Sequence, residues 1–157
     1  MKVLAIDPGN EKSAFVIYEE GKLIDRDIIP NDELLIEMVN YRYKCQYMAI
    51  EMIASYGMAV GKTIFETCVW IGRFIQKWDG NYTKIYRKDV TMHLCNSMRA
   101  KDSNIRQAII DRYPAAGGGK TPQIGTKAKP GPLYGVSKDV WSALAVAIYA
   151  TETIRKV

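Results

Sequence analysis

The stretch VLAIDPGNEKSAFVIYEEGK, residues 3–22, decides the fold. Val3–Ile6 is an uninterrupted apolar run, the pattern of a strand buried on both faces. Asp7 stands where that run stops. Pro8 disfavours the helical region for the residue before it and Gly9 supplies turn freedom, so the chain turns here and enters a second apolar run, SAFVIYEE. EEGK at 19–22 is a glycine turn into KLIDRDII, which predicts that the second and third strands form a hairpin. A carboxylate at the lip of a core is costly unless it is paired or binds a cation, so Asp7 is either a turn-former or a ligand.

Working outward, NDELLIEMVNYRYK at 31–44 predicts a crossover helix capped by Asn31 or Asp32, with apolar residues at 34, 35, 38 and 39. QYMAIE follows as a buried strand ended by Glu51, and the right-handed crossover rule lays it parallel to the first. A helical pattern runs from Met58 to Trp78, where Val60, Ile64, Cys68, Ile71 and Ile75 make an apolar face while Lys62, Arg73 and Lys77 reach solvent or a partner. YTKIYR is a fifth short strand; KDVTMHLC and DSNIRQAIIDRY are two helices, the second capped by Asp102 or Ser103. His93, the single histidine, is a packing or surface residue. The last helix, from SKDVWSALAVAI, is capped by Ser137 with Asp139 in its first turn, and Ala143, Ala147 and Thr151 form a flat stripe that lets it lie close to the sheet. Residues 114–136, rich in Gly and Pro and carrying Lys120, Lys127 and Lys129, predict a mobile surface loop, either a binding loop or a plain insertion. The whole, residues 1–157, is one α/β domain.

Composition narrows the function classes. At 48% hydrophobic residues the chain can build a core. Cys45, Cys68 and Cys95 are odd in number and show no zinc-ligand spacing, which argues for reduced thiols and a cytosolic setting. No apolar run approaches the ~20 residues that span a bilayer, so no membrane role is expected. The net charge of +5 is unevenly placed: residues 1–60 hold 6 Lys and Arg against 10 Asp and Glu, whereas residues 61–157 hold 16 against 7. A basic surface beside a few carboxylates suits a polyanionic substrate, whose phosphates bind through counterion release.

Asp7 and Glu51 end strands expected to be parallel neighbours, so both face one edge of the sheet, where open α/β sheets place their sites. The helix start at Asp139 completes the cluster at that edge. Several carboxylates in a cleft repel one another and either share protons or bind hard cations such as Mg²⁺ or Mn²⁺. Two such ions about 3.5–4 Å apart can activate water and stabilise the leaving oxygen of a phosphodiester. Taken singly, each acid also fits a turn, a helix cap or a helix dipole.

LAIDPGN, MAIE with a long helix after it, YRKDVTMHL followed by RAKDSNIRQAIIDRY, and KDVWSALAVAI occur in the order and at roughly the spacing of the RuvC-type Holliday junction resolvases, and the chain resembles that family over nearly its whole length. It looks closest to the RuvC-like resolvases of phages and mobile elements. The resemblance implies a ribonuclease H-like fold, with a mixed five-stranded sheet flanked by helices. It also implies a homodimer on four-way junction DNA and metal-dependent paired nicks that leave a 3′-hydroxyl and a 5′-phosphate. Asp7, Glu51 and Asp139 match the family's first-strand aspartate, fourth-strand glutamate and first acid of the final helix, and are the expected catalytic and metal-holding residues. Ser142 departs from the pattern, standing one helical turn after Asp139 where the bacterial enzymes carry a fourth acid. Tyr56 is the nearest substitute for the family's stacking aromatic; Lys62, Arg73, Lys101, Lys120, Lys127 and Lys129 are further candidate DNA contacts. Competing readings are a non-catalytic junction binder, a nuclease of this fold acting on RNA or fork DNA, and an actin-like or sugar-kinase ATPase. The last needs a second phosphate-binding domain, and GGGK at 117–120 lacks the Walker spacing, so no nucleotide cofactor is expected.

Overall fold

The computed structural model describes residues 1–154. In chain order the elements are β1 (Lys2–Asp7), β2 (Lys12–Glu19), β3 (Lys22–Pro30), α1 (Asn31–Lys44), β4 (Tyr47–Met52), α2 (Lys62–Trp78), β5 (Tyr82–Tyr86), α3 (Arg87–Cys95), α4 (Asp102–Ile110) and α5 (Val140–Thr153). The five strands form one mixed sheet in the order β3-β2-β1-β4-β5. β1, β2 and β3 are antiparallel neighbours, while β4 runs parallel to β1 and β5 parallel to β4. The hairpin and the parallel fourth strand are those expected from the sequence.

Side-chain alternation explains why the strands are apolar without interruption. Val3 and Ala5 of β1, with Ala14 and Val16 of β2, face a core closed by α3, α4 and α5, whereas Leu4 and Ile6, with Phe15 and Ile17, face a second core closed by α1 and α2. Small residues line the first face: Ala5, Ala14 and Ala49 on the sheet meet Ala143 and Ala147 of α5, so the helix axis lies close to β1 and β2. That approach brings the start of α5 to the edge where β1 and β4 end.

The β1–β2 turn is braced by buried polar groups. Ser13 Oγ accepts from the Gly9 amide at 3.1 Å and donates to Asn31 Oδ1 at 2.6 Å, and Asn31 Nδ2 donates to the Gly9 carbonyl at 2.9 Å. Asn31 is therefore not the cap of α1. Pro30 holds the cap position, and Asn31 is buried as a tie between helix and turn. Gly9 is needed for space rather than for a positive φ, since a methyl there would overlap the Lys12 carbonyl.

Three further expectations are corrected. α2 begins at Lys62 rather than Met58, because Gly57 at φ +79° and the extended Gly61 interrupt the pattern and leave Val60 outside the helix. Its buried stripe is Thr67, Ile71, Phe74 and Trp78, with Ile64, Cys68 and Ile75 on the flanks; the stripe that carries the large rings takes the core. Caps fall one or more places from their expected positions, at Lys101 for α4 and at Asp139, not Ser137, for α5. The segment 114–136 has no helix or strand yet folds on itself: the Gly118 amide donates to the Lys129 carbonyl at 2.9 Å and Gly131 to Ile124 at 2.9 Å, Leu133 is fully buried, and Arg26 of β3 donates to the Tyr134 carbonyl. No helix among the described residues is long and apolar enough to cross a membrane.

Candidate active site

Parallel pairing sets Ile6 beside Ile50, so the next residues, Asp7 and Glu51, emerge together at the same edge. Asp7 is largely buried, and its carboxyl is pushed up to about 8. Burial is the main cause, followed by the charge of Glu51, a hydrogen bond shared with it and the charge of Asp139, while Arg87 acts in the opposite sense. Asp139 lies at the N-cap of α5, exposed, on a cleft of about 410 Å³ that Arg87, Arg106, Lys138, Trp141 and Ser142 also line. Arg106 is stacked 5.0 Å over the Trp141 ring, and both residues line the cleft.

One residue that sequence reasoning missed organises this edge. Arg87 Nε lies 3.1 Å from Glu51 Oε1, Nη1 lies 3.1 Å from Asp102 Oδ1, and Nη2 donates to Ser142 Oγ at 3.2 Å. A signal for it existed in YTKIYRK: a strand parallel to β4 must deliver the residue that follows it to the edge where β4 delivers Glu51. Arg106 and Lys138 carried no such signal, because each sits on a helix or turn whose place depends on the packing of α4 and α5.

The donor set suits a hard divalent cation in part. Asp7 and Glu51 are neighbouring oxygen donors at one sheet edge, and burial and the charge of Glu51 raise the Asp7 carboxyl, a cost that a bound cation would relieve. Among the described residues, however, no three His, Cys, Asp or Glu side chains are gathered tightly enough to hold an ion as they stand. Glu51 is engaged by Arg87, and the hydroxyl of Ser142 is bound to the same guanidinium.

Of the expected DNA contacts, Tyr56 comes to the site. It is 63% exposed at φ +49°, lies under Lys88 Nζ at 5.8 Å, and shares a cavity of about 620 Å³ with Arg87, Lys88, Met98 and Asp102, whose lining has Arg87 and Asp102 in common with the cleft beside Asp139. Lys62, Arg73, Lys101, Lys120, Lys127 and Lys129 are exposed and line neither cavity. Lys62 pairs with Glu66 at 3.8 Å, and Arg73 stacks on Trp70 at 4.1 Å. His93 packs edge-on against Tyr149 and reaches Glu152 at 3.3 Å, where Arg112 also binds; Glu152 is thereby committed away from the cleft.

No protein-family model matches the chain, and no curated protein matches it. Solved structures do. Thermus thermophilus RuvC superposes with a TM-score of 0.65 at 15% identity, covering 96% of this chain and 93% of that one. The T. thermophilus RuvC in complex with a Holliday junction substrate gives 0.62 at 13%, with the same coverage. With the mixed sheet in the order β3-β2-β1-β4-β5 and its acids at one edge, the chain has the RuvC-like, ribonuclease H-like fold.

Proposed function

We propose that the chain is a divalent-metal-dependent endonuclease that resolves four-way DNA junctions by paired nicks. The observation that carries this reading is the arrival of Asp7 and Glu51 side by side at one sheet edge, within the field of Asp139 at the start of α5, next to a cleft lined by Arg87, Arg106 and Lys138. Acids alone would repel a phosphodiester; acids flanked by cations admit one. The RuvC structure of the same fold, in complex with a Holliday junction substrate, supports branched DNA as the partner.

Arg106 and Lys138 bind the backbone phosphates and seat the strand against α5. Asp7, Glu51 and Asp139 would hold Mg²⁺ or Mn²⁺, which supplies Lewis acidity to the phosphate and a nucleophilic water at neutral pH. The new bond joins the water oxygen to phosphorus, the bond to the 3′ oxygen breaks, and the departing oxygen takes a proton, leaving a 3′-hydroxyl and a 5′-phosphate. Tyr56, exposed between the cleft and Lys88, stacks on a base at the opened crossover. A labelled four-way junction should be nicked in pairs with Mg²⁺ or Mn²⁺ and left intact with chelator, with matched duplex and fork DNA cut far less. Junction binding without cutting in either metal would transfer the function to a non-catalytic binder, the reading that Arg87's hold on Glu51 favours. Equal cutting of forks would remove the junction preference.

Paired nicks require two sites, and α2 offers a face for a second copy. Phe65 and Val69 are 60% and 61% exposed on one side of the helix, and beside them Gly72 has open space where a side chain would stand. An apolar pair next to a glycine lets two helices approach closely. Phe65→Glu with Val69→Glu should weaken the dimer at least ~10-fold in sedimentation velocity and turn paired nicks into single ones. A wild type that sediments as a monomer on the junction would overturn this assembly.

A further inference from the structure

Arg87 is the first residue of α3 and the first after β5, at the edge where Glu51 emerges. Each arm of its guanidinium has a different partner: Nε takes Glu51 Oε1, Nη1 takes Asp102 Oδ1 and Nη2 donates to Ser142 Oγ. Ser142 lies one helical turn beyond Asp139 on α5. A single planar cation therefore spans from the strand-end glutamate to the helix that supplies the third acid.

Charge balance says what that cation replaces. With the exposed Asp102 left to solvent, the three carboxylates of Asp7, Glu51 and Asp139 are neutralised by one divalent ion together with one guanidinium. A second divalent ion on the α5 side would have to displace Arg87 from Glu51 and accept the neutral hydroxyl of Ser142 as a donor, where hard cations favour carboxylates. The arms of Arg87 are also unequal. Glu51 is 14% exposed and Asp102 is 92% exposed, so the Asp102 pair is water-screened and weak while the Glu51 pair is not. The weakly held arm faces the cleft shared with Arg106 and Lys138, and a guanidinium fork matches two oxygens of a phosphate.

We propose that Arg87 takes the place of a second divalent cation: the site binds one metal ion per chain, and Arg87 keeps Glu51 while its Asp102-bound arm turns to the scissile phosphate. Both parts rest on the metal-dependent nuclease reading, the ion count through its cation and the phosphate contact through its cleavage.

The first test needs no DNA. Titration of the protein with Mn²⁺, followed by the electron paramagnetic resonance of the free ion, should give one bound ion per chain in the wild type and two in the double variant Arg87→Gln, Ser142→Asp. Any other pair of counts overturns the proposal. On a junction with saturating Mg²⁺, Arg87→Gln should lower kcat on the order of 10²-fold, as loss of a preorganised cation on a transferring phosphate does, with Arg87→Lys recovering part of it. Cleavage by Arg87→Gln within ~3-fold of wild type would overturn the phosphate contact. Thermal melting of each variant separates these effects from loss of the fold. Failure of the wild type to bind Mn²⁺ or to cut any DNA would overturn the metal-dependent nuclease reading and the phosphate contact with it, whereas two ions on a wild type that cuts would overturn the single-ion count alone.

Discussion

Asp7→Asn should abolish DNA cleavage, by on the order of 10³-fold or more, while making the metal-free protein more stable and leaving junction binding intact or tighter. The three effects share one cause. Asp7 lies in a largely buried position beside Glu51 and within the field of Asp139, and its carboxyl is raised from 3.8 to about 8. A group whose folded pKa lies above its unfolded one leaves stability intact below the unfolded value and removes it as pH climbs toward the folded value. Wild-type stability without metal should therefore fall as the pH rises from about 4 to about 8. At about 1.4 kcal/mol per unit, tempered by residual solvent access, the gain for Asp7→Asn at neutral pH is on the order of 2 kcal/mol, or roughly 4–8 °C in melting temperature. Melts from pH 5 to 9 in chelator should show a slope in the wild type that flattens in the variant. Adding Mg²⁺ should raise the wild-type midpoint and leave the variant where it was. A variant that melts lower than the wild type at neutral pH would mean that Asp7 serves the turn and not a cation.

Gly131→Ala should damage the protein from the opposite side of the molecule's sequence logic, through packing. A methyl at Gly131 would overlap the backbone carbonyls of Pro122 and Gln123, neither of which can swing aside as a side chain does. The segment around it is knitted by the amide of Gly131 to Ile124 at 2.9 Å and of Leu133 to Gln123 at 2.9 Å, and Leu133 is fully buried beneath it. Opening that knot should cost about 3 kcal/mol and lower the melting temperature by roughly 6–12 °C. The same knot displays Lys120, Lys127 and Lys129, so junction binding should weaken and its salt dependence flatten together with the melt. Replacing those three lysines by Ala should lower the slope of log affinity against log salt by up to about 3 with the melting temperature unchanged. Binding and melting both unaffected by Gly131→Ala would show that the segment is not a packed unit.

The strands were legible because strand burial is written locally. Val3–Ile6, Ala14–Tyr18 and Met48–Ile50 are apolar without a break, and they prove to be buried on both faces. The sequence also marks Asp7 and Glu51 as strand ends, and the parallel rule then brings them to one edge. Helix starts were less legible: Gly57 and Gly61 shift the onset of α2, and Asn31 serves a buried turn where a cap was expected.

Residues 1–154 carry in their own order the mixed sheet, the crossover helices and the acids at strand ends, since periodicity and turn chemistry act between near neighbours. Tertiary structure alone decided that Arg87, delivered to the edge of Glu51 by β5, also takes Ser142, 55 residues later in the numbering. It also decided that Arg106 and Lys138 line the same cleft and that Gly131 lies against two carbonyls. The physical reason is range. A hydrogen bond or ion pair is made over about 3 Å of space, and no local pattern in the chain records which distant side chains the packing of helices on a sheet will bring within that distance.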